Sequence, residues 1–185
     1  MMALALERLG TLARLIVGRA RAGLLRLRGA RVGKKSRVGA GARFRLPRRM
    51  ILGSNVEIEH GVYVKIVDDK AVLEIGNYTF VATGCVMHVA QSVTIGAHSV
   101  IGAHVVISDH SHIARRGQRA DEQGIRSAPV RIGNDVTIYP QSVITAGVTI
   151  GDGGIVSACS LVRKDVPPNT IVAGVPARII GERTG

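Results

Sequence analysis

The sequence predicts an all-β solenoid, and three observations predict it. Ile132, Ile138, Ile144, Ile150, Val156 and Val162 stand six residues apart without a slip. The residues between them are small or turn-prone: Gly133, Asn134 and Asp135, then Ala146 and Gly147, then Gly151 to Gly154. Aromatics make up only 3% of the chain and Trp is absent, whereas glycines number 23. Period six is neither helical nor that of a plain alternating strand. It describes a short strand, a tight corner and another short strand, repeated, with each aliphatic turned into one continuous core.

The other elements follow from this column. Residues 1–30 form a basic amphipathic arm. Leu6, Leu9, Ala13, Ile16, Ala20, Leu24 and Leu27 share one helical face, and Arg8, Arg14, Arg19, Arg21, Arg26 and Arg28 share the other. Gly18 and Gly23 are the points where such a helix could break. Arginines interrupt every apolar run, so the arm is too short in apolar length to span a bilayer. Glu7, Arg14 and the lack of a cleavage site argue against a signal peptide. Residues 1–28 suit either a contact with an anionic membrane surface or a helix packed on the solenoid with its arginines in water.

The solenoid occupies residues 31–166. Val32, Val38, Phe44 and Met50 open the register, and the basic cluster Arg43 to Arg49 disturbs it. Leu52 and Ile58 resume it in a shifted frame. Tyr63 to Glu74 reads as a short excursion with a turn at Asp68-Asp69. Val81 and Met87, then Val89, Ile95, Ile101 and Ile107, continue the column, and a loop at residues 109–128 interrupts it. A long polar loop inside a strict repeat is a place for function, because the repeat supplies a rigid frame. Pro167-Pro168 ends the solenoid, and the tail, residues 167–185, folds back over its end.

Net charge is +12. Residues 1–49 hold fourteen Lys or Arg against Glu7, a net +13, whereas residues 50–185 hold eleven against twelve acids, a net −1. A neutral body with few aromatics to stack bases does not suit nucleic acid, and the arm suits anionic lipid better. Cys85 and Cys159 show no metal-ligand or disulfide spacing and are expected to be small buried thiols in a reducing cytosol.

The [Ile/Val/Leu]-Gly hexads together with GVTIGD (147–152), KDVPPNT (164–170) and AGVPAR (173–178) resemble the hexapeptide-repeat acyltransferases. The sugar and polysaccharide O-acetyltransferase branch, with maltose, galactoside and colanic-acid enzymes, is the most similar. The resemblance covers residues 30–183 and implies a left-handed parallel β-helix, a homotrimer with active sites in the clefts between subunits, acetyl-CoA as donor and a saccharide acceptor. No metal is expected. The resemblance does not cover the arm; the location expected from the free cysteines is cytoplasmic, with the arm on the inner face of the membrane as the peripheral alternative.

Acetyl transfer from a thioester to a hydroxyl needs a base, oxyanion donors and a groove for CoA. Of six histidines, His110 and His112 lie where the repeat ends. The step of eleven from Ile101, expected of the family's catalytic His, favours His112 over His110. Asp109 is expected to orient the base or to contact the sugar. His98 and His104 fill equivalent slots of adjacent hexads and read as exposed strand or corner residues, and His60 and His88 have no motif around them. The oxyanion donor is expected to be a backbone N–H of a neighbouring subunit.

For CoA, the resemblance implies a groove at Ala146, Gly147, Ala158 and Ser160, with Arg163, Lys164 and Arg178 for the phosphates. The chain departs from the family at three positions: Thr137 replaces Trp, and Tyr139 and Cys159 replace Gly. Tyr139 either substitutes for the missing aromatic surface at the acceptor pocket or narrows the cleft. A non-catalytic trimeric scaffold or degenerate member is the alternative reading. A zinc-dependent carbonic anhydrase-like enzyme and a serine acetyltransferase rank below it, the latter because its long helical N-terminal domain is missing.

Overall fold

The computed structural model describes the backbone of residues 2–184 and the side chains of residues 13–184. One helix, α1 (Met2–Leu27), precedes a three-sided parallel solenoid. The first face stacks Arg31–Val32, Met50–Leu52, Val72–Ile75, Ser92–Ile95, Val130–Ile132 and Thr149–Ile150. The second stacks Arg37–Val38, Glu57–Ile58, Phe80–Val81, Val100–Ile101, Thr137–Ile138, Ile155–Val156 and Thr170–Gly174. The third stacks Arg43–Arg45, Tyr63–Ile66, Val86–Val89, Val106–Ser108, Val143–Ile144 and Leu161–Val162. Three such sides make one coil, and the chain completes six coils and begins a seventh.

The six-residue column is the core. Ile138, Ile144 and Val156 are fully buried, and Ile132, Ile150 and Val162 nearly so. In-register pairs such as Ile95 on Ile132 and Ile132 on Ile150 stack aliphatics along the axis. Each such side chain contributes roughly 1.5–3 kcal/mol by leaving water. The glycine after the first-face strand is forced by the stacking. A Cβ on Gly96 would come 2.5 Å from the carbonyl carbon of Gly133 in the next coil.

The corners turn through left-handed residues. Between the first and second faces these are Lys35, Asn55, Tyr78, His98 and Asp135; between the second and third they include His104, Gln141 and Cys159. His98 and His104 are therefore exposed corner residues, as expected, and they project from different corners. The Tyr63–Glu74 segment differs from expectation. Tyr63–Ile66 and Val72–Ile75 are ordinary strands of the third and first faces, and only the turn at Asp68 leaves the coil. There the Asp68 carboxylate accepts the N–H groups of Lys70 and Ala71. Cys85 is buried, donates to the Gly102 carbonyl at 3.0 Å, and burial pushes its thiol up to about 11. Cys159, expected to be buried, is exposed because its corner position turns the side chain outward.

Helix α1 runs without a break through Gly18 and Gly23. It lies on the first strands of the first and second faces. Among its described side chains and glycines, Gly18, Ala22 and Leu25 are the buried ones, and a Cβ on Gly18 would sit 3.5 Å from the Val38 carbonyl oxygen. Arg26 donates to the carbonyls of Val32 (2.9 Å) and Gly33 (2.8 Å), and Arg28 to that of Phe44 (3.1 Å). The apolar stripe read from the sequence faces elsewhere: Ile16, Ala20, Leu24 and Leu27 are exposed. The side chains of Leu6, Arg8 and Leu9 lie outside the described residues. At the other end, Ala177–Glu182 turns back antiparallel against Thr170–Gly174.

Candidate active site

The loop at 109–128 leaves the corner between the third and first faces. Its ends are adjacent: the Ala128 N–H donates to the Asp109 carbonyl at 2.8 Å, and the Gly147 N–H of the next coil donates to Ala128 at 3.1 Å. The stack therefore continues across the insertion. The loop itself is a two-stranded antiparallel hairpin, His110–His112 on Ile125–Ser127.

Asp109 anchors the hairpin's root. Its side chain is wholly buried. One carboxylate oxygen accepts the Ala90 N–H at 2.7 Å and lies 3.0 Å from His110 Nδ1; the other accepts the Gln91 N–H at 2.6 Å. Both oxygens are thus engaged below the surface. Asp109 holds the loop to the preceding coil and lies against His110, as suits the orienting role, the first of the two expected of it.

His110 follows from the root and keeps only 14% of its side chain exposed. Its ring lies 6.2 Å from that of His88, which the sequence left without a motif. Burial holds His88 below the usual histidine range, and Lys65 and His110 add to the effect. His112 is one alternation further out on the same strand face. It is exposed and lines a cavity of about 270 Å³ with Ser111, Ile113, Ala114, Arg115 and Arg126. Of the two candidate bases, His112 is the one open to a substrate.

The CoA-groove positions divide between two corners. Ala146 and Gly147 occupy the hairpin's corner one coil further along, and Arg163 and Lys164 occupy it one coil beyond that. Strand spacing sets these steps at about 4.8 Å each. One edge therefore carries His112, a pair of small residues and then two cations, in that order. Ala158, Ser160 and the exposed Tyr139 lie at the opposite corner of the third face, and Arg178 lies on the returning strand over the second face.

Within one chain these two groups are apart. Ser160 is buried; its hydroxyl accepts the Gly174 N–H at 3.2 Å, and its own N–H donates to Ser142 Oγ at 3.3 Å. That hydroxyl is part of the corner's frame. The departure at Cys159 also has a backbone reading: its φ is +56°, the left-handed region where glycine is least strained. Thr137 is on the second-face strand and Tyr139 follows that strand's end at the corner, half exposed. Among the described residues, no group of three His, Cys, Asp or Glu side chains is placed to hold a metal ion.

Comparison with known proteins agrees with this architecture. Residues 129–164 match the family model "Bacterial transferase hexapeptide (six repeats)". The galactoside O-acetyltransferase of Escherichia coli K12 is 37% identical over 149 residues, which cover 78% of this chain and 63% of that protein's length. The putative colanic acid biosynthesis acetyltransferase WcaF of the same strain is 31% identical over 168 residues, 91% of this chain and 78% of that protein. Among solved structures, a hexapeptide-repeat acetyltransferase of Vibrio cholerae complexed with acetyl-CoA superimposes with a TM-score of 0.69 at 29% identity, covering 90% of this chain and 78% of that one. A galactoside acetyltransferase in complex with coenzyme A gives 0.65 at 31% identity, over 89% and 70%. The solenoid is thus the left-handed parallel β-helix, and the chain belongs to the hexapeptide-repeat acetyltransferase family, beside the galactoside and colanic-acid enzymes.

Proposed function

We propose that the protein transfers an acetyl group from acetyl-CoA to a saccharide hydroxyl, with His112 as general base. One observation carries the reading: His112 stands open at the head of an edge that continues through Ala146 and Gly147 to Arg163 and Lys164. The small residues leave room for the pantetheine arm, and the cations suit the phosphates. His112 removes the acceptor hydroxyl's proton as its oxygen attacks the thioester carbonyl. The tetrahedral oxyanion is held by backbone N–H groups. It collapses with cleavage of the C–S bond, and the imidazolium returns its proton to the CoA sulfur. Calorimetric titration with acetyl-CoA, followed by transfer assays on a saccharide panel, tests this. Saturable binding and acetylated product are expected; a folded protein that does not bind acetyl-CoA overturns the reading.

The working unit in this proposal is a homotrimer. The third face presents an outward column of Val86, Val106, Val143 and Leu161, and the second presents Phe80, Val100, Thr137, Ile155 and Ile171. The first face presents Glu74, Thr94, Arg131 and Thr149. Two apolar faces meeting at one corner suit a wedge that packs against a neighbour on each side. Such packing would carry Tyr139, Ala158 and Arg178 of one subunit to the His112 edge of another.

Helix α1 is proposed to contact the inner face of an anionic membrane. It reaches the solenoid through Gly18, Ala22 and Leu25, which leaves Ile16 (60% exposed), Leu24 (57%) and Leu27 (85%) as a free stripe beside exposed Arg14 and Arg19. No described helix is long and apolar enough to cross a bilayer. Sedimentation with phosphatidylglycerol vesicles is expected for the full chain, with little on phosphatidylcholine alone. Burial of an Ile or Leu side chain is worth roughly 1.5–3 kcal/mol, so the pair Ile16→Asp and Leu24→Asp should weaken vesicle binding by about a hundredfold or more. Undiminished binding by that double variant would sink the membrane contact.

A further inference from the structure

Helix α1 closes the open end of the solenoid. In the first coil the N–H groups of Arg37 and Gly39 donate to the second coil, so the N–H and carbonyl of Val38 between them face the free end. A Cβ on Gly18 would lie 3.5 Å from that oxygen and 3.7 Å from that nitrogen. Arg26 and Arg28 donate to the carbonyls of Val32 and Phe44 on the other two sides of the same coil. Ala22 and Leu25 join the core there. The helix therefore lies across the end and touches all three sides of the triangle.

At about 100° per residue, Ile16, Leu24 and Leu27 project from the side of the helix opposite Gly18, Ala22 and Leu25. The free apolar stripe thus points outward along the solenoid axis, with Arg14 and Arg21 on one flank and Arg19 on the other. A bilayer that takes this stripe meets the solenoid end-on, and the coils rise from it in order.

The His112 hairpin leaves the fourth coil. Three strand steps of about 4.8 Å and one helix thickness of about 10–12 Å place its root roughly 25 Å from the outer side of α1. An interfacial helix sinks about 5–10 Å, so that root stands roughly 15–20 Å above the headgroups. Ala146, Gly147, Arg163 and Lys164 end the fifth and sixth coils, further from the bilayer. On the membrane side of the hairpin, the third face carries one polar side chain per coil. Arg45, Lys65, His88 and Ser108 stand in register and alternate with buried Phe44, Val64, Met87 and Ile107. Tyr63 lies edge-on to His88 at 6.2 Å, and the His88 ring is 6.2 Å from that of His110 at the hairpin root. No outward strand residue of these four coils on that face is acidic. The column follows the edge that adjoins the first face, beside the apolar column proposed to pack on a neighbour.

A sugar free in solution needs neither the standoff nor the ladder of donors, and a single sugar on a lipid falls short of the hairpin. We infer that the acceptor is a saccharide chain carried on a lipid of the same membrane. It lies along the column from Arg45 to Ser108, and a hydroxyl several sugars from the lipid meets His112 while acetyl-CoA enters from the solution side. This rests on the transferase and membrane readings above and names their substrate class.

Two measurements on the full chain test it. The first is energy transfer to a rhodamine-labelled lipid in phosphatidylglycerol vesicles. A fluorophore on the exposed Cys159, in the sixth coil, is compared with one at position 34, in the first, in the Lys34→Cys/Cys159→Gly variant. Five strand steps place the Cys159 label roughly 24 Å further from the bilayer. The second is acetyl transfer to galactose, glucose and N-acetylglucosamine, each attached through its anomeric carbon to a phosphatidylethanolamine anchor, directly or through maltotriose, and each also offered as the free glycan. The spaced conjugate in phosphatidylglycerol vesicles should be acetylated about tenfold or more faster than its free glycan at equal total concentration. The direct conjugate should be left nearly unmodified, and Ile16→Asp/Leu24→Asp should bring the advantage of the spaced one to near unity.

Absent energy transfer, or equal distances for the two labels as in a solenoid lying flat, overturns the inference. So does a direct conjugate acetylated as fast as the spaced one, or a free glycan acetylated as fast as either. No transfer in any arm, by a chain that shows the expected label distances, removes the transferase reading and leaves the end-on seat standing.

Discussion

His112→Ala is expected to lower kcat for acetyl transfer by about a hundred- to ten-thousandfold, the range of a lost general base, while the calorimetric affinity for acetyl-CoA stays within threefold of wild type. The expectation rests on position. His112 lies in the open cavity of the hairpin, and its neighbours there are two arginines and small or aliphatic residues. His110→Ala is the control that gives the result its meaning. That ring is mostly covered and faces Asp109 at 3.0 Å. Its loss should appear first in thermal stability and only modestly in kcat. If His110→Ala instead abolishes turnover and His112→Ala does not, the base is the carboxylate-oriented histidine and His112 contacts the acceptor. Measuring kcat and KM separately distinguishes these cases, because lost acceptor binding raises KM whereas lost proton transfer lowers kcat.

Asp109→Ala is expected to cost about 3 kcal/mol of stability. The carboxylate accepts the Ala90 and Gln91 N–H groups at 2.7 and 2.6 Å in a part-buried corner, and its removal strands both donors. Each stranded donor costs roughly 1–3 kcal/mol. For a chain of this size the melting temperature should fall by about 6–12 °C. The same substitution frees the hairpin root, so kcat should fall although residue 109 itself is sealed from substrate. Asp109→Asn keeps one accepting oxygen and should lose about half as much. A melting temperature unchanged by Asp109→Ala would show that water reaches the two amides and that the corner is not held as described. Calorimetry of unfolding measures both.

The column from Ile132 to Val162 was plain in the sequence because those coils have eighteen residues and no ornament, so six-residue spacing translates directly into burial. The N-terminal coils hid themselves. Val32 pairs onward to Leu52 and Leu52 to Ile75, steps of twenty and twenty-three residues. The additions sit in the third corner, where the short turn Pro47–Arg49 and the Asp68 turn take up extra length. A spacing rule reads such additions as an excursion, which is why it takes Tyr63–Glu74 out of the solenoid.

The same irregularity concealed the neighbourhood of His110. Lys65 and His88 are adjacent on one face but twenty-three residues apart in the chain. The run from Asp109 to His112 is legible as the end of the repeat; only the corner amides of the preceding coil decide that Asp109 points inward. Within the loop, nothing in the order of residues says that Arg119 takes both Asp121 and Glu122. The resemblance groups Ala158 and Arg178 with Ala146, Gly147, Arg163 and Lys164, and within one chain the fold separates the first two from the His112 edge because they serve other parts of the triangle.

A parallel solenoid exposes unpaired backbone N–H and C=O groups at its first and last coils, which makes each end a template for another copy. Here neither end is bare. Helix α1, pinned by the Arg26 and Arg28 hydrogen bonds, lies across the opening strands of the first two faces. Ala177–Glu182 runs against the grain of the last second-face strand, so the next partner would meet an antiparallel edge out of step with the stack. The molecule is therefore stoppered against fibre growth along its axis, and self-association is left to its sides. A chain stripped of both stoppers would be a candidate for end-to-end polymerisation.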